Sequence, residues 1–209
     1  LHALSSKVTY PTLNGGVRDY TEFQSQLLER WLLTDEVISQ FLVHHKTGEP
    51  MPKELVAKIK KAATFNEGFK TTEYLASAII DLKLHMLDNP TGVDPDAFER
   101  DTLNSMGMPS QVVMRHRTPH FGHVFSGEGY AAAYYGYMWA EVLTSDAAEA
   151  FAQVPGGFYD KEVAAKLVEH LFSVRNAVDP ADAYRAFRGR DAKIDALMRD
   201  RGFPLPKAE

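Results

Sequence analysis

The chain has 209 residues, with 23 Lys and Arg against 28 Asp and Glu, so the formal net charge is -5. Hydrophobic residues at 44% and charged residues at 24% lie near the globular average, which excludes disorder, collagen and coiled-coil repeats and implies a chain folded around a packed core. Mild acidity without a Lys/Arg run argues against nucleic acid as a partner, because such binding needs a concentrated basic footprint, and against anionic membrane surfaces for the same reason. Cysteine is absent, so disulfides, thiolate metal sites and Cys nucleophiles are excluded and any metal must be held by His, Asp or Glu. The longest apolar stretch, Tyr130 to Leu143, falls short of the ~20 residues a membrane span requires. The sequence opens on Leu1 rather than Met and without a charged leader, which suggests an excised or processed piece.

In chain order, Val8 to Leu13 alternates weakly and is the candidate strand. Phe23, Leu27 and Trp31 recur every fourth residue, and Val37, Ile38, Phe41 and Leu42 repeat the helical pattern after Thr34-Asp35. Lys46 to Pro52 reads as a turn, with Gly48 placed to end one helix and Pro52 to open the next, whose stripe is Leu55, Ile59 and Ala62. A longer helix is expected from Asn66 to Leu87, stopped by Asn89-Pro90-Thr91-Gly92. Asp94-Pro95, Asp160 and Asp179-Pro180 are helix starts, because Asp accepts from the free N–H groups of a first turn and Pro there loses no hydrogen bond. Gly107, Gly189 and Gly202 are stops, and the last helix uses Ile194, Leu197 and Met198. The reading is an all-α single domain over residues 1–209, with irregular loops at Pro11 to Arg18 and Pro109 to Gly129. Long ordered loops such as the second are usually functional.

Arg115 to Trp139 concentrates His116, His120, His123, Arg115, Arg117 and four of the nine tyrosines in one stretch. After the hinge-like Gly127-Glu128-Gly129, a helix is expected to place Tyr130, Tyr134, Tyr137 and Glu141 on one face at i, i+4, i+7 and i+11. Phenols beside a glycine loop and an imidazole suit donation of hydrogen bonds to an oxygen that turns negative in a transition state. The same spacing also fits core aromatics with hydroxyls at the surface, and the histidines fit loop or capping roles. His120 and His123 have metal-ligand spacing, but no HExxH motif occurs in the chain. Arg115 and Arg117 can clamp a peptide carboxylate or lie in a solvated loop. Asp19 and Glu22, after Gly15-Gly16, read as first-turn acids favoured by the helix dipole.

Two segments together resemble the thimet oligopeptidase, oligopeptidase A and peptidyl-dipeptidase family of zinc metallopeptidases, over essentially the whole chain. The first runs Asp19-Tyr20-Thr21-Glu22-Phe23-Gln24-Ser25-Gln26-Leu27-Leu28-Glu29; the second is His123-Val124-Phe125-Ser126-Gly127 followed by Gly129-Tyr130 and Tyr134-Tyr135-Gly136-Tyr137-Met138-Trp139. Leu1-His2 match the residues that follow the family's HExxH helix, so this helix would lie immediately upstream, and the upstream part of the same polypeptide is the expected partner. The resemblance implies the C-terminal portion of a multi-helical, zincin-like catalytic domain lining one side of a substrate cleft. It implies Glu22 as the third ligand of one zinc ion, with Asp19 and Glu29 as residues that orient ligands. It further implies His123, Tyr130 and Tyr137 as groups contacting the substrate backbone and tetrahedral intermediate, with Tyr134, Gly127 and Gly129 at the substrate, and short peptides as substrates. Family habit places such enzymes in the cytoplasm. Gln24 stands where the family usually has Pro, and Tyr10 to Asp19 is shorter than usual. Lacking HExxH, the chain alone is expected to be inactive. The alternative from another class is a non-catalytic helical module whose Tyr/His groove captures peptides.

Overall fold

A computed structural model describes residues 2–205, with side chains from Leu4 onward. Leu1, quoted above with His2, lies outside the described residues. The helices in chain order are α1 (His2–Ser5), α2 (Phe23–Glu29), α3 (Asp35–Gln40), α4 (Lys53–Ala62), α5 (Glu67–His85), α6 (Pro95–Ser105), α7 (Gly122–Phe125), α8 (Gly136–Ala152), α9 (Lys161–Leu167), α10 (Pro180–Arg188) and α11 (Asp195–Asp200). The protein is all-α: among the described residues no strand occurs, only an isolated bridge between Val43 and Pro50. The expected strand at Val8 to Leu13 is instead irregular chain, bent at Thr9 and Tyr10, running into a 3-10 turn at Pro11–Asn14, where Pro11 at the start of the turn fixes its own φ.

Side-chain caps set several helix starts where the sequence placed them. Asp94 accepts from the Ala97 N–H at 2.9 Å, Asp160 from Glu162 and Val163 at 3.0 Å, and Asp179 from Ala181 at 2.9 Å. Gly189 closes α10 in the left-handed conformation, φ 77°. Two expected boundaries differ. Gly48 ends no helix: α3 stops at Gln40, and Gly48, φ 74°, instead turns the chain between the bridged residues. Pro52 caps α4 from outside rather than occupying its first position. The expected α4 stripe faces outward: Leu55 and Ile59 are 45% and 38% exposed and α4 buries no residue.

The chain divides into two compact units, Asn66–Tyr137 and the remainder. In the remainder, Phe23 and Leu27 of α2 pack with Leu143, Ala147 and Phe151 of α8, Leu167 and Leu171, and Ala183, Tyr184 and Phe187 of α10. Trp31 meets Phe151 and Phe158 edge-on and donates its indole N–H to the Phe158 carbonyl at 3.0 Å. Beside this core lies a fully buried carboxylate, Asp146, which accepts from the Tyr184 hydroxyl and Arg188 Nε at 2.9 Å each and from Arg190 at 2.7 Å. Fully burying one large apolar side chain contributes roughly 1.5–3 kcal/mol, whereas a buried ion pair is close to neutral against a hydrophobic replacement. The apolar pack is therefore the main source of stability, and the Asp146 cluster fixes how α8 and α10 meet.

In Asn66–Tyr137, two small clusters build on opposite sides of α5. Ala76 and Ile80 pack with Leu103 and Met114, while Ala78 packs with Phe121, Val124 and Tyr134. The second cluster carries the expected chemistry.

Candidate active site

The loop Pro109 to Gly129 is held by short turns rather than left irregular. Thr118–His120 forms a 3-10 turn and α7 follows. Buried Glu99 of α6 accepts from both the N–H and hydroxyl of Thr118 at 2.9 Å, and pairs with Arg117 Nε at 2.5 Å. These bonds anchor the entrance to α7, which presents His123 on an exposed face while burying Val124.

The tyrosine segment does not begin as a helix. Residues 130–135 form turns, α8 starts at Gly136, and Ala132 sits in the left-handed region at φ 55°. A non-glycine residue there costs on the order of 1–3 kcal/mol and needs support from its surroundings. That support comes from α5, where buried Asp81 accepts the Ala132 N–H on Oδ1 and the Tyr134 N–H on Oδ2, both at 3.0 Å. Tyr74, also on α5, donates its hydroxyl to the Tyr134 carbonyl and stacks on the Tyr134 ring at 5.0 Å.

This turn gathers the expected residues more closely than a helical face would. His123 Nε2 lies 2.9 Å from the Tyr137 hydroxyl. The Tyr130 ring lies 4.3 Å from the imidazole and nearly parallel to the Tyr137 ring, 4° apart at 6.4 Å. Tyr134 is buried beneath them, edge-on to Phe121 at 4.8 Å and to Tyr137 at 5.5 Å. Burial pushes the Tyr134 phenol above its ordinary value; Arg115 pulls it back and Glu73 adds to the rise. It stays a neutral, structural ring at the base of the site. The chemistry available is a half-exposed patch of phenol and imidazole donors over a buried aromatic floor.

The remaining expected residues are placed as follows. Gly127 and Gly129 lie in the open turn after α7, where a Cβ would meet nothing within 4 Å, so neither is required by close packing. Arg115 is exposed, whereas Arg117 is committed to Asp96 at 2.8 Å and to Glu99. Glu22, Asp19 and Glu29 belong to the other unit. Glu22 immediately precedes α2, half-exposed, and its Oε2 receives the Ser25 hydroxyl at 3.2 Å. Asp19 lies in the 3-10 turn Arg18–Tyr20, and Glu29 is exposed at the end of α2. Among the described residues, no group of three His, Asp or Glu side chains is arranged to hold a metal ion. A carboxylate bonded by a serine hydroxyl fits one position of a metal's ligand set and no more. Sequence reasoning missed Asp81 and Tyr74, although an acid inside the apolar run Ala78-Ile79-Ile80-Asp81-Leu82 is itself a signal.

The profile of "Peptidase family M3" matches residues 1–203. The chain belongs to this peptidase family. It is 35% identical over 210 residues to the dipeptidyl carboxypeptidase of Escherichia coli (strain K12), covering 98% of this chain and 30% of that protein. It is 32% identical to oligopeptidase A of the same strain, covering 97% of this chain and 30% of the relative, and 32% identical to oligopeptidase A of Haemophilus influenzae, covering 91% and 28%. The chain thus spans under a third of the length of these relatives.

Proposed function

We propose that the polypeptide carrying this chain is a zinc metallopeptidase that hydrolyses short peptides, and that the chain supplies one zinc ligand, Glu22, and the His123, Tyr130 and Tyr137 donors. The other ligands would come from residues this chain does not contain. When bound, zinc would supply Lewis-acid polarisation of water and of the scissile carbonyl. The observation that carries the reading is the 2.9 Å contact between His123 and the Tyr137 hydroxyl, with Tyr130 ranged alongside.

A neutral phenol donates a hydrogen bond while keeping its proton, so Tyr137 and Tyr130 can bond the carbonyl oxygen as it gains negative charge. His123 holds the Tyr137 hydroxyl within hydrogen-bond reach, limiting the positions it samples before substrate arrives. Asp19 and Glu29 would orient ligands near Glu22, while exposed Arg115 is a better candidate than the ion-paired Arg117 for a peptide carboxylate. Gly127 and Gly129, where a Cβ would meet nothing within 4 Å, would leave room for substrate beside the segment. A single-domain assignment for 1–209, read from the sequence pattern, and a cytoplasmic location, which rests on the resemblance, are part of the same proposal.

The test is Tyr137→Phe in the polypeptide that carries this chain, assayed on short peptides. Loss of one oxyanion donor costs about 3 kcal/mol, on the order of a hundredfold in kcat, with KM little changed. An unchanged kcat rejects the reading.

A further inference from the structure

We propose that Asp81 is a positioning residue for peptide hydrolysis, acting through the backbone amides of Ala132 and Tyr134 to hold the turn that gathers Tyr130, Tyr137 and His123. The proposal rests on the function proposed above. Asp81 is fully buried in the middle of α5, at a position where the helix otherwise packs with apolar side chains. A charge in such a place persists only where its lone pairs are satisfied. Each of its oxygens takes one N–H of the turn at 3.0 Å, and His85 Nδ1 lies 2.9 Å from Oδ1 and 2.8 Å from the Asp81 carbonyl. His85 is itself stacked on Phe125 at 5.4 Å, 9° from parallel, so the carboxylate has a fixed backing.

The geometry is specific to a carboxylate. Two N–H groups two residues apart, those of Ala132 and Tyr134, face one carboxylate where Ala132 has turned to φ 55°. Two acceptor oxygens at a fixed spacing bridge them, which a neutral amide cannot do because one of its two heads is a donor. Releasing the bridge lets Ala132 return to an ordinary conformation, and the helix pattern then extends backwards toward Tyr130, as its sequence spacing favours. Tyr130 and Tyr137 would then be separated along a helix face, and the stacked pair beside His123 would open. The residue touches neither substrate nor reacting atoms; its effect passes through the phenols it places.

The experiment compares Asp81→Asn, Tyr137→Phe and the double variant in the polypeptide that carries this chain. The readouts are kcat and KM on a short peptide, with folding checked by circular dichroism. Misplacing an oriented group by an ångström costs up to about a hundredfold, so Asp81→Asn is expected to lower kcat about tenfold or more with KM little changed. In the Tyr137→Phe background its further effect on kcat is expected to be smaller than in the parent, because one of the two donors it positions is already gone and only Tyr130 is left to misplace. An unchanged kcat in Asp81→Asn overturns the proposal, as does an equal loss in both backgrounds, which would mark a general weakening of the fold. Should Asp81→Asn fail to fold, Ala132→Val replaces it, since a β-branched residue resists φ 55° without altering the α5 interior. A selective fall in kcat supports the proposal and an unchanged kcat overturns it. If Tyr137→Phe itself leaves kcat intact, the functional reading falls and Asp81 with it; if only the Asp81 and Ala132 variants leave kcat intact, the positioning role alone is lost.

Discussion

Replacing Asp146 by Asn removes one charge without changing shape, and the structure sets the size of the consequence. The carboxylate is fully buried and receives Tyr184, Arg188, Arg190 and, at 3.2 Å, the Lys193 N–H. An amide keeps one acceptor, so at least one donor pair would face an N–H₂ group. The Arg188 side chain is 10% exposed and would be left with a guanidinium deprived of its countercharge, while Arg190, 34% exposed, can turn to solvent. Breaking a buried pair from one side costs 3–5 kcal/mol, and the escape of Arg190 points to the lower end, about 3 kcal/mol. For a chain of this size that is a fall in Tm of roughly 6–12 °C by calorimetry or circular dichroism melting. Tyr184→Phe removes one donor and leaves the ion pair, so its cost is smaller, about 1 kcal/mol. A melting point for Asp146→Asn within about 2 °C of the parent would refute the claim that this cluster locks α8 to α10.

The same carboxylate predicts an acid limb. Burial pushes the Asp146 carboxyl up, but hydrogen bonds from Arg190, Tyr184 and Lys193 and the charge of Arg188 together outweigh it and hold it below the ordinary 3.8. A depressed carboxyl contributes stability that is whole above its unfolded value and lost as pH falls through its folded one, so the parent should lose this contribution below pH 3.8 and Asp146→Asn should show a flatter stability profile there. Gly156→Ala would place a Cβ 2.9 Å from the Asp160 backbone at the start of α9, and should lower stability by about 1–3 kcal/mol. Gly127→Ala, with open space around it, should change stability by less than about 1 kcal/mol in the same melts.

Local signals were legible where local chemistry decides the outcome. Asp94, Asp160 and Asp179 cap helices because the acceptor and the free N–H groups lie within three residues of each other. His123, Tyr130, Tyr134 and Tyr137 announced themselves by composition, and they do gather, yet the reason read from spacing was wrong. Helical periodicity placed Tyr130 and Tyr134 within a helix, but the distant Asp81 captures the Ala132 and Tyr134 amides and delays α8 until Gly136. Tertiary partners at such separation leave no periodic trace. Gly48 failed for a related reason: a glycine marks a left-handed residue without saying whether a helix or a bridged turn surrounds it. The stripe of α4 was read correctly as amphipathic but its face is exposed, since amphipathicity specifies a face without specifying what covers it.

The claim that this chain supplies a metal ligand is tested most directly by counting zinc in the polypeptide that carries it, in the parent and in Glu22→Gln. The account predicts one zinc per active site in the parent and its loss on dialysis from Glu22→Gln, because an amide oxygen is a far weaker ligand than a carboxylate. Retention of zinc by Glu22→Gln with undiminished affinity, or a parent that hydrolyses peptides without zinc, would contradict it.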